Sequence, residues 1–526
     1  MGVKAMQEHK HHSGCCGCSL GPIERRSFLT ALGATAGLAA AAGCATTATA
    51  PLVAAGPRPK PCLEKKPLIV QPALAYHIYS QRDQTSWRPW GGLHTEGDID
   101  AEINRIEHEL RALSKQAEFP VSFKPLARVR DENEAAALCA QPADVMLIYG
   151  ANSGMETIEK LITTDRYNLV FVRHKSGPVY LWYEIVHPRL LRKNVDEYGQ
   201  PGLEPSDVVV DEYGDLLWRL RSLYALHNTV GSRIVCIGGP SGWSEGGEKA
   251  PEIAANLWQM DLVTVEYDDV GARIKAARAN PERVKRAEAE AAAYLKTPGT
   301  HLKTDPGFVS RAFLLTEVFE ELMAEAGAQA ITVNHCMGTI MPLSETTACL
   351  PLSLINDAGA LGFCESDFAV IPSGVLLHHI ASMPVFLQDP TYPHHGIITL
   401  AHCTAPRKMD GKHLEEAYIL THFESDYGAA PKVNMRIGET VTVIDPDFYD
   451  KRWIGFRGRI QDTPFLDICR SQVDVAIQGD CDRLARDMRG FHWMLAYGDH
   501  LKETGYALRK LGIEWYNLSD DKTIEA

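Results

Sequence analysis

Outside its N-terminal segment the chain lacks any apolar run near the roughly 20 residues that span a bilayer, which excludes a membrane-crossing helix there. Positive charge is in deficit. Lys and Arg number 53 against 67 Asp and Glu, a formal net charge of −14. That balance argues against a nucleic-acid partner, because phosphate backbones are met by basic surfaces; a neutral or cationic small ligand, or a metal, fits better. A disulfide framework is also missing. Past Cys44 the cysteines are Cys62, Cys139, Cys236, Cys336, Cys349, Cys364, Cys403, Cys469 and Cys481, an odd set with several in apolar segments such as "RIVCIGG". They read as small buried hydrophobes. The turn "IGGPSG" has neither the spacing of a dinucleotide fingerprint nor a Walker pattern, so a plain strand-to-helix turn is expected.

What is present begins with "IERRSFLTALGATAGLAAAAGC", in which Arg25 and Arg26 precede Phe28, Leu29 and a mild Ala/Gly/Leu run. Paired arginines before a short, weakly apolar stretch predict a twin-arginine export signal over 1–50 and a periplasmic protein. Cys44 ends an "AAGC" that is a candidate lipidation site and membrane anchor, although Ala41 stands where leucine is preferred. The upstream "HKHHSGCCGC" belongs to the leader. Residues 51–66, with several Pro and Lys, form a tether.

Hydrophobic patterning divides the rest into three. Residues 67–175 alternate strands such as "KPLIVQPALAYHIY", "ADVMLIYGA" and "YNLVFVRH" with helical patterns, and 176–345 repeats the theme around "RIVCIGG" and "AITVNHC". Strand–helix alternation predicts parallel sheets, hence two Rossmann-like α/β units. The "ARANPERVKRAEAEAAAYLK" segment is expected to be a solvated helix. In 346–526, short strands follow one another without intervening helices, which predicts a mixed α+β C-terminal domain with a short-stranded β-unit.

Two acidic residues interrupt apolar strand ends in that last region: Glu365 after "LGFC" and Asp389 after "PVFLQ". The apolar helix "FAVIPSGVLLHHIASM" between them would set both carboxylates at neighbouring strand ends of one sheet. His492 stands before what reads as an aromatic-rich turn, "WMLAYG". Two carboxylates and an imidazole suit Mn²⁺ or a similar divalent ion; the alternative is two caps and a core histidine. His394 and His395 follow "TYP" in a loop and are expected at a solvated rim. His402, ending "IITLAH", is either a donor to a ligand hydroxyl or a hydrogen-bonded core histidine.

The stretches "CESDFAVIPSGVLLHHIASMPVFLQDPTY" and "FHWMLAYGD" resemble the C-terminal part of the L-fucose isomerase and L-arabinose isomerase superfamily. The resemblance, clearest from Cys349 to Leu518, implies that Glu365, Asp389 and His492 hold the metal. It also implies that Glu365 and Asp389 act as the acid/base pair of an aldose–ketose isomerisation through an enediol, in a homo-oligomer. Arg82, in "YSQRDQTSW", stands either where that family closes a neighbouring subunit's site or simply on the surface. Two features depart from the pattern: Phe491 replaces an Asn before the metal histidine, and the "LAHCTAP" form differs. The readings from other classes are an exported, non-catalytic sugar-binding protein on the same scaffold and a related metal-dependent epimerase or lyase.

Overall fold

A computed structural model describes residues 60–61, 63–193 and 195–524. The export signal, its cysteines and Cys44 lie outside the described residues, as does the greater part of the tether.

The architecture is mixed α/β, with two parallel sheets and a C-terminal antiparallel sheet. In the first sheet Leu68–Ala75 lies centrally, flanked by Val121–Phe123 and Ala127–Val129 on one side and Val145–Gly150 on the other. Tyr167–Val172 and Val208–Val210 continue it, all parallel. These strands are almost continuously apolar because helices cover both faces. The first unit therefore does not end at residue 175. Val208–Val210 pairs along Val170–Val172, and the helix Tyr213–Thr229 buries Leu216, Leu220 and Leu223 in the same core.

The second sheet has the order Leu361–Cys364, Ala330–Val333, Arg233–Ile237, Asp261–Val265, again all parallel. It crosses the boundary expected at residue 345, because the edge strand that leads to Glu365 is contributed after it. The charged segment before it is broken at Asn280, whose side chain caps the helix Pro281–Leu295. That helix is not simply solvated: Ala287 and Ala291 are buried, and Arg283 and Arg286 pair with the buried Glu317.

The third sheet closes on itself. Thr440–Asp445, Trp493–Tyr497, Phe386–Pro390, Ile397–His402, Ser471–Gln478 and Arg452–Asp462 pair in turn, antiparallel throughout, and Arg452–Asp462 pairs back onto Thr440–Asp445. Closure removes the exposed edges that an open sheet of short strands would present. "WMLAY" is thus a barrel strand rather than a turn, and all five of its side chains are buried.

One helix joins the parallel sheet to the barrel. Ile371–Ala381 is buried at every position, as an all-round apolar helix must be. A Cβ on Gly374 would lie 2.6 Å from both Phe363 of the parallel edge strand and Met494 of the barrel. Only glycine lets the helix approach both strands, and those strands lead to Glu365 and away from His492.

Candidate metal centre

Glu365 and Asp389 do not sit on one sheet. Glu365 follows the edge strand Leu361–Cys364 at its carboxyl end, the side of a parallel sheet where ligands are usually bound. It and Ser366 adopt left-handed backbone conformations (φ 66° and 50°). Two successive non-glycine residues there store strain of the kind found at functional sites. Asp389 belongs to the barrel, opposite Ala401 in the register. Gln388 pairs with Trp493, so the next step of the ladder brings Asp389 and His492 together. His402 is one residue beyond Ala401. Barrel register thus gathers Asp389, His402 and His492, and the parallel sheet supplies Glu365.

His492 is the centre of the cluster. Its Nε2 lies 3.2 Å from an oxygen of Glu365 and 3.2 Å from an oxygen of Asp389. Ligands about 2.1 Å from one octahedral cation stand about 3.0 Å apart, so His492 has that spacing to each carboxylate separately; the two groups whose ligand atoms all approach one another, Asp389–His402–His492 and Cys364–Glu365–His402, each hold one of the two carboxylates and not both. Nε2 is buried and makes no hydrogen bond. Its other ring nitrogen, Nδ1, is 2.7 Å from Asp367, itself buried. With Nδ1–H donating to that carboxylate, the neutral ring would carry its lone pair on Nε2, the tautomer that a carboxylate imposes on metal-bound histidines. Sequence reasoning missed Asp367, although "CESD" carries it two residues after Glu365.

His402 points into the same cleft, with Nε2 3.6 Å from Glu365. The ligand atoms of Asp389, His402 and His492 lie within 4.8 Å of one another, as do those of Cys364, Glu365 and His402. The Cys403 backbone N–H donates to His402 Nδ1 at 2.9 Å, so a neutral ring carries its hydrogen on Nε2. His402 in this state is a donor, and the free lone pair belongs to His492.

Electrostatics demand a positive charge here. Among the described residues no Lys or Arg pairs with Glu365 or Asp389; their ion-pair partners are histidines. Burial opposes charge on His492, yet Asp367, Asp389 and Glu365 outweigh it and hold its pKa well above the ordinary value. His402 is likewise disfavoured by burial but moved up to about 9, chiefly by Asp389 and Glu365. Burial would raise the Glu365 carboxyl, but the two imidazoles hold it below the usual carboxylate range. A proton supplies the missing charge, and a divalent cation supplies it with ligand geometry. The carboxylates keep 30% and 39% of their side-chain surface exposed, so a ligand can reach them from solvent.

Comparison with protein-family models and with curated proteins yields no match to this chain. The site has to be read from its own chemistry.

The remaining candidates fall elsewhere. His394 and His395 are exposed and contact each other. Arg82 is exposed after the first strand and is not among the residues that meet at the cluster. The described cysteines are all free. Cys349 and Cys403 are buried in one small apolar cluster with Cys469 packed against it, a clustering that their spacing in the chain does not reveal.

Proposed function

We propose that this protein is a metal-dependent aldose–ketose sugar isomerase. The observation that carries the reading is the buried Nε2 of His492, oriented by Asp367 and facing one oxygen each of Glu365 and Asp389 at 3.2 Å. Two carboxylates and an imidazole form an oxygen-rich set suited to Mn²⁺ or a similar ion. Such an ion, when bound, polarises two adjacent oxygens of a hydroxy-carbonyl compound as a Lewis acid.

The remaining work falls to the chain. One carboxylate of the Glu365/Asp389 pair takes the proton from C2 of the open-chain aldose, leaving an enediolate; O1 gains a proton to give the enediol, O2 gives one up, and the carboxylate returns its proton to C1 to complete the ketose. Hydrogen moves as a proton throughout, so no redox cofactor is consumed. Glu365 suits the basic role because the histidines keep it ionised. The Nε2–H of His402 donates to a sugar hydroxyl. This assignment agrees with the resemblance of the "CESDF…FLQDP" and "FHWMLAYGD" segments to the L-fucose and L-arabinose isomerases. With it go two Rossmann-like parallel units, export by the twin-arginine route to the periplasm, a homo-oligomer closed in part by Arg82, and a lipid anchor at Cys44.

Two measurements test the reading. Wild-type protein purified without chelator should hold Mn²⁺ stoichiometrically, and Asp389→Ala should lose it. A sugar panel in D₂O should show deuterium entering at C1 of the ketose formed and at C2 of the aldose re-formed. Binding without exchange would indicate a sugar-binding protein instead, and exchange with a C2 epimer as product would indicate an epimerase. A folded wild type that takes up no divalent ion when supplied sinks the mechanism.

A further inference from the structure

The loop after the strand Arg233–Ile237, "GGPSGWS", has no role in the chemistry above, yet it is fastened to the site. The Ser241 backbone N–H donates to Ser366 at 3.0 Å, and Phe368 donates back to Ser241 at 3.0 Å. The Trp243 N–H points at Asp367 from 3.4 Å, the carboxylate that holds His492 through its other oxygen. These ties set the Trp243 ring against Phe491: centroids 5.0 Å apart, planes 14° from parallel. Both rings meet the His492 imidazole edge-on, at 5.7 Å and 4.8 Å. Trp243 nevertheless remains 41% exposed and Phe491 44%. Large rings left open to water mark a binding surface, and this pair stands directly beside a polar, charge-demanding cluster.

We propose that Trp243 and Phe491 form an apolar wall that receives one C–H-bearing face of a sugar, and that this wall determines which sugars the site accepts. The inference rests on the isomerase reading for the identity of the ligand. Its physical basis is the division of the cleft: Glu365, Asp389 and His402 meet hydroxyls, while the electron-rich aromatic faces meet the polarised C–H bonds that hydroxyl-bearing carbons present on the opposite side. A ligand site of this kind combines aromatic lining with a few convergent polar groups.

The test uses the full chain loaded with Mn²⁺ and free aldohexoses and aldopentoses as probes, followed by ligand-observed NMR with saturation of the aromatic protons. Saturation should reach the C–H protons of one sugar face selectively. Trp243→Ala and Phe491→Ser should each weaken sugar binding at least fivefold at unchanged Mn²⁺ content, and Phe491→Tyr should stay within twofold of wild type. Affinities within twofold of wild type in both ring-deleting variants would overturn the wall, even if C2 exchange proceeds. So would saturation spread evenly over the sugar, or loss of self-association in place of sugar affinity, which would make the rings a contact between copies. A face-selective signal without C2 exchange would leave the wall standing and overturn the isomerase reading alone. If no sugar binds the wild type, both fall.

Discussion

Among the described residues two buried histidine pairs behave in opposite ways. His378 and His379, on the apolar helix, are shut into a core where burial dominates; His378 is pushed down to about 4 and His379 well below the ordinary value, with Lys65 adding to both. His402 and His492 are buried as deeply, yet both are held above the ordinary value because carboxylates face them. Burial by itself makes a histidine a neutral packing element. Convergent carboxylates make the same side chain part of a cluster that favours positive charge on the ring.

The comparison breaks most severely if the carboxylates are removed. On the proposed reading, Glu365→Ala or Asp389→Ala should abolish Mn²⁺ retention, measured by elemental analysis of the purified protein, and lower isomerase turnover at least about a thousandfold, because that reading makes the lost group both ligand and proton carrier.

Next in size is acid sensitivity of the apolar pair. The folded pKa of His378 lies below the unfolded value of about 6.5. Its contribution to stability is complete above that value and is lost as pH falls towards the folded pKa of about 4, because the unfolded chain takes up a proton that the native core refuses. The loss amounts to about 3 kcal/mol over that window. Denaturant titrations at pH 7 and pH 4.5 should show a steeper decline for wild type than for His378→Gln; equal declines would remove His378 from the account.

A finer test leaves the ligands intact and alters their support. Asp367→Asn should weaken Mn²⁺ binding by about 10- to 100-fold, since the amide cannot hold the His492 tautomer as a carboxylate does; an unchanged dissociation constant would make Asp367 a bystander. The smallest effect belongs to the exposed pair. His394→Ala with His395→Ala should change Mn²⁺ content not at all and stability by less than about 0.5 kcal/mol, readable by thermal melting, despite the density of histidines in that stretch.

Much of the fold was legible because periodicity is local. The runs "LIVQPALA", "VMLIYG" and "YNLVFV" are apolar but for Gln71 and Asn168 and form parallel strands, and most of the short strands after residue 384 form the antiparallel barrel, while Ala417–Leu420 and Ala430–Val433 join Thr300–Leu302 in a small separate sheet. The sheet limits were less legible. Val208–Val210 and Leu361–Cys364 are short, and each joins its sheet only through parallel pairing with a distant strand. At the site, residue types at the ends of apolar segments offered Glu365, Asp389 and His492 as a candidate set, with two caps and a core histidine as the alternative, and left His402 between a ligand contact and the core; their convergence was not legible. Asp367 and Trp243 carried no comparable signal, because one acts through His492 and the other through a loop from a different part of the sheet.

The sequence by itself determined the elements and the chemistry available to them: an alternating α/β run, a β-rich C-terminal region, and carboxylates and imidazoles at the ends of apolar segments. Only the tertiary structure decided that Glu365 comes from a parallel edge strand and Asp389, His402 and His492 from a closed barrel, joined by a helix that needs Gly374 to fit. The physical reason is range. Propensity and periodicity act over a few residues, whereas the approach of His492 Nε2 to both carboxylates depends on barrel register and on packing between sheets, and no local pattern encodes either.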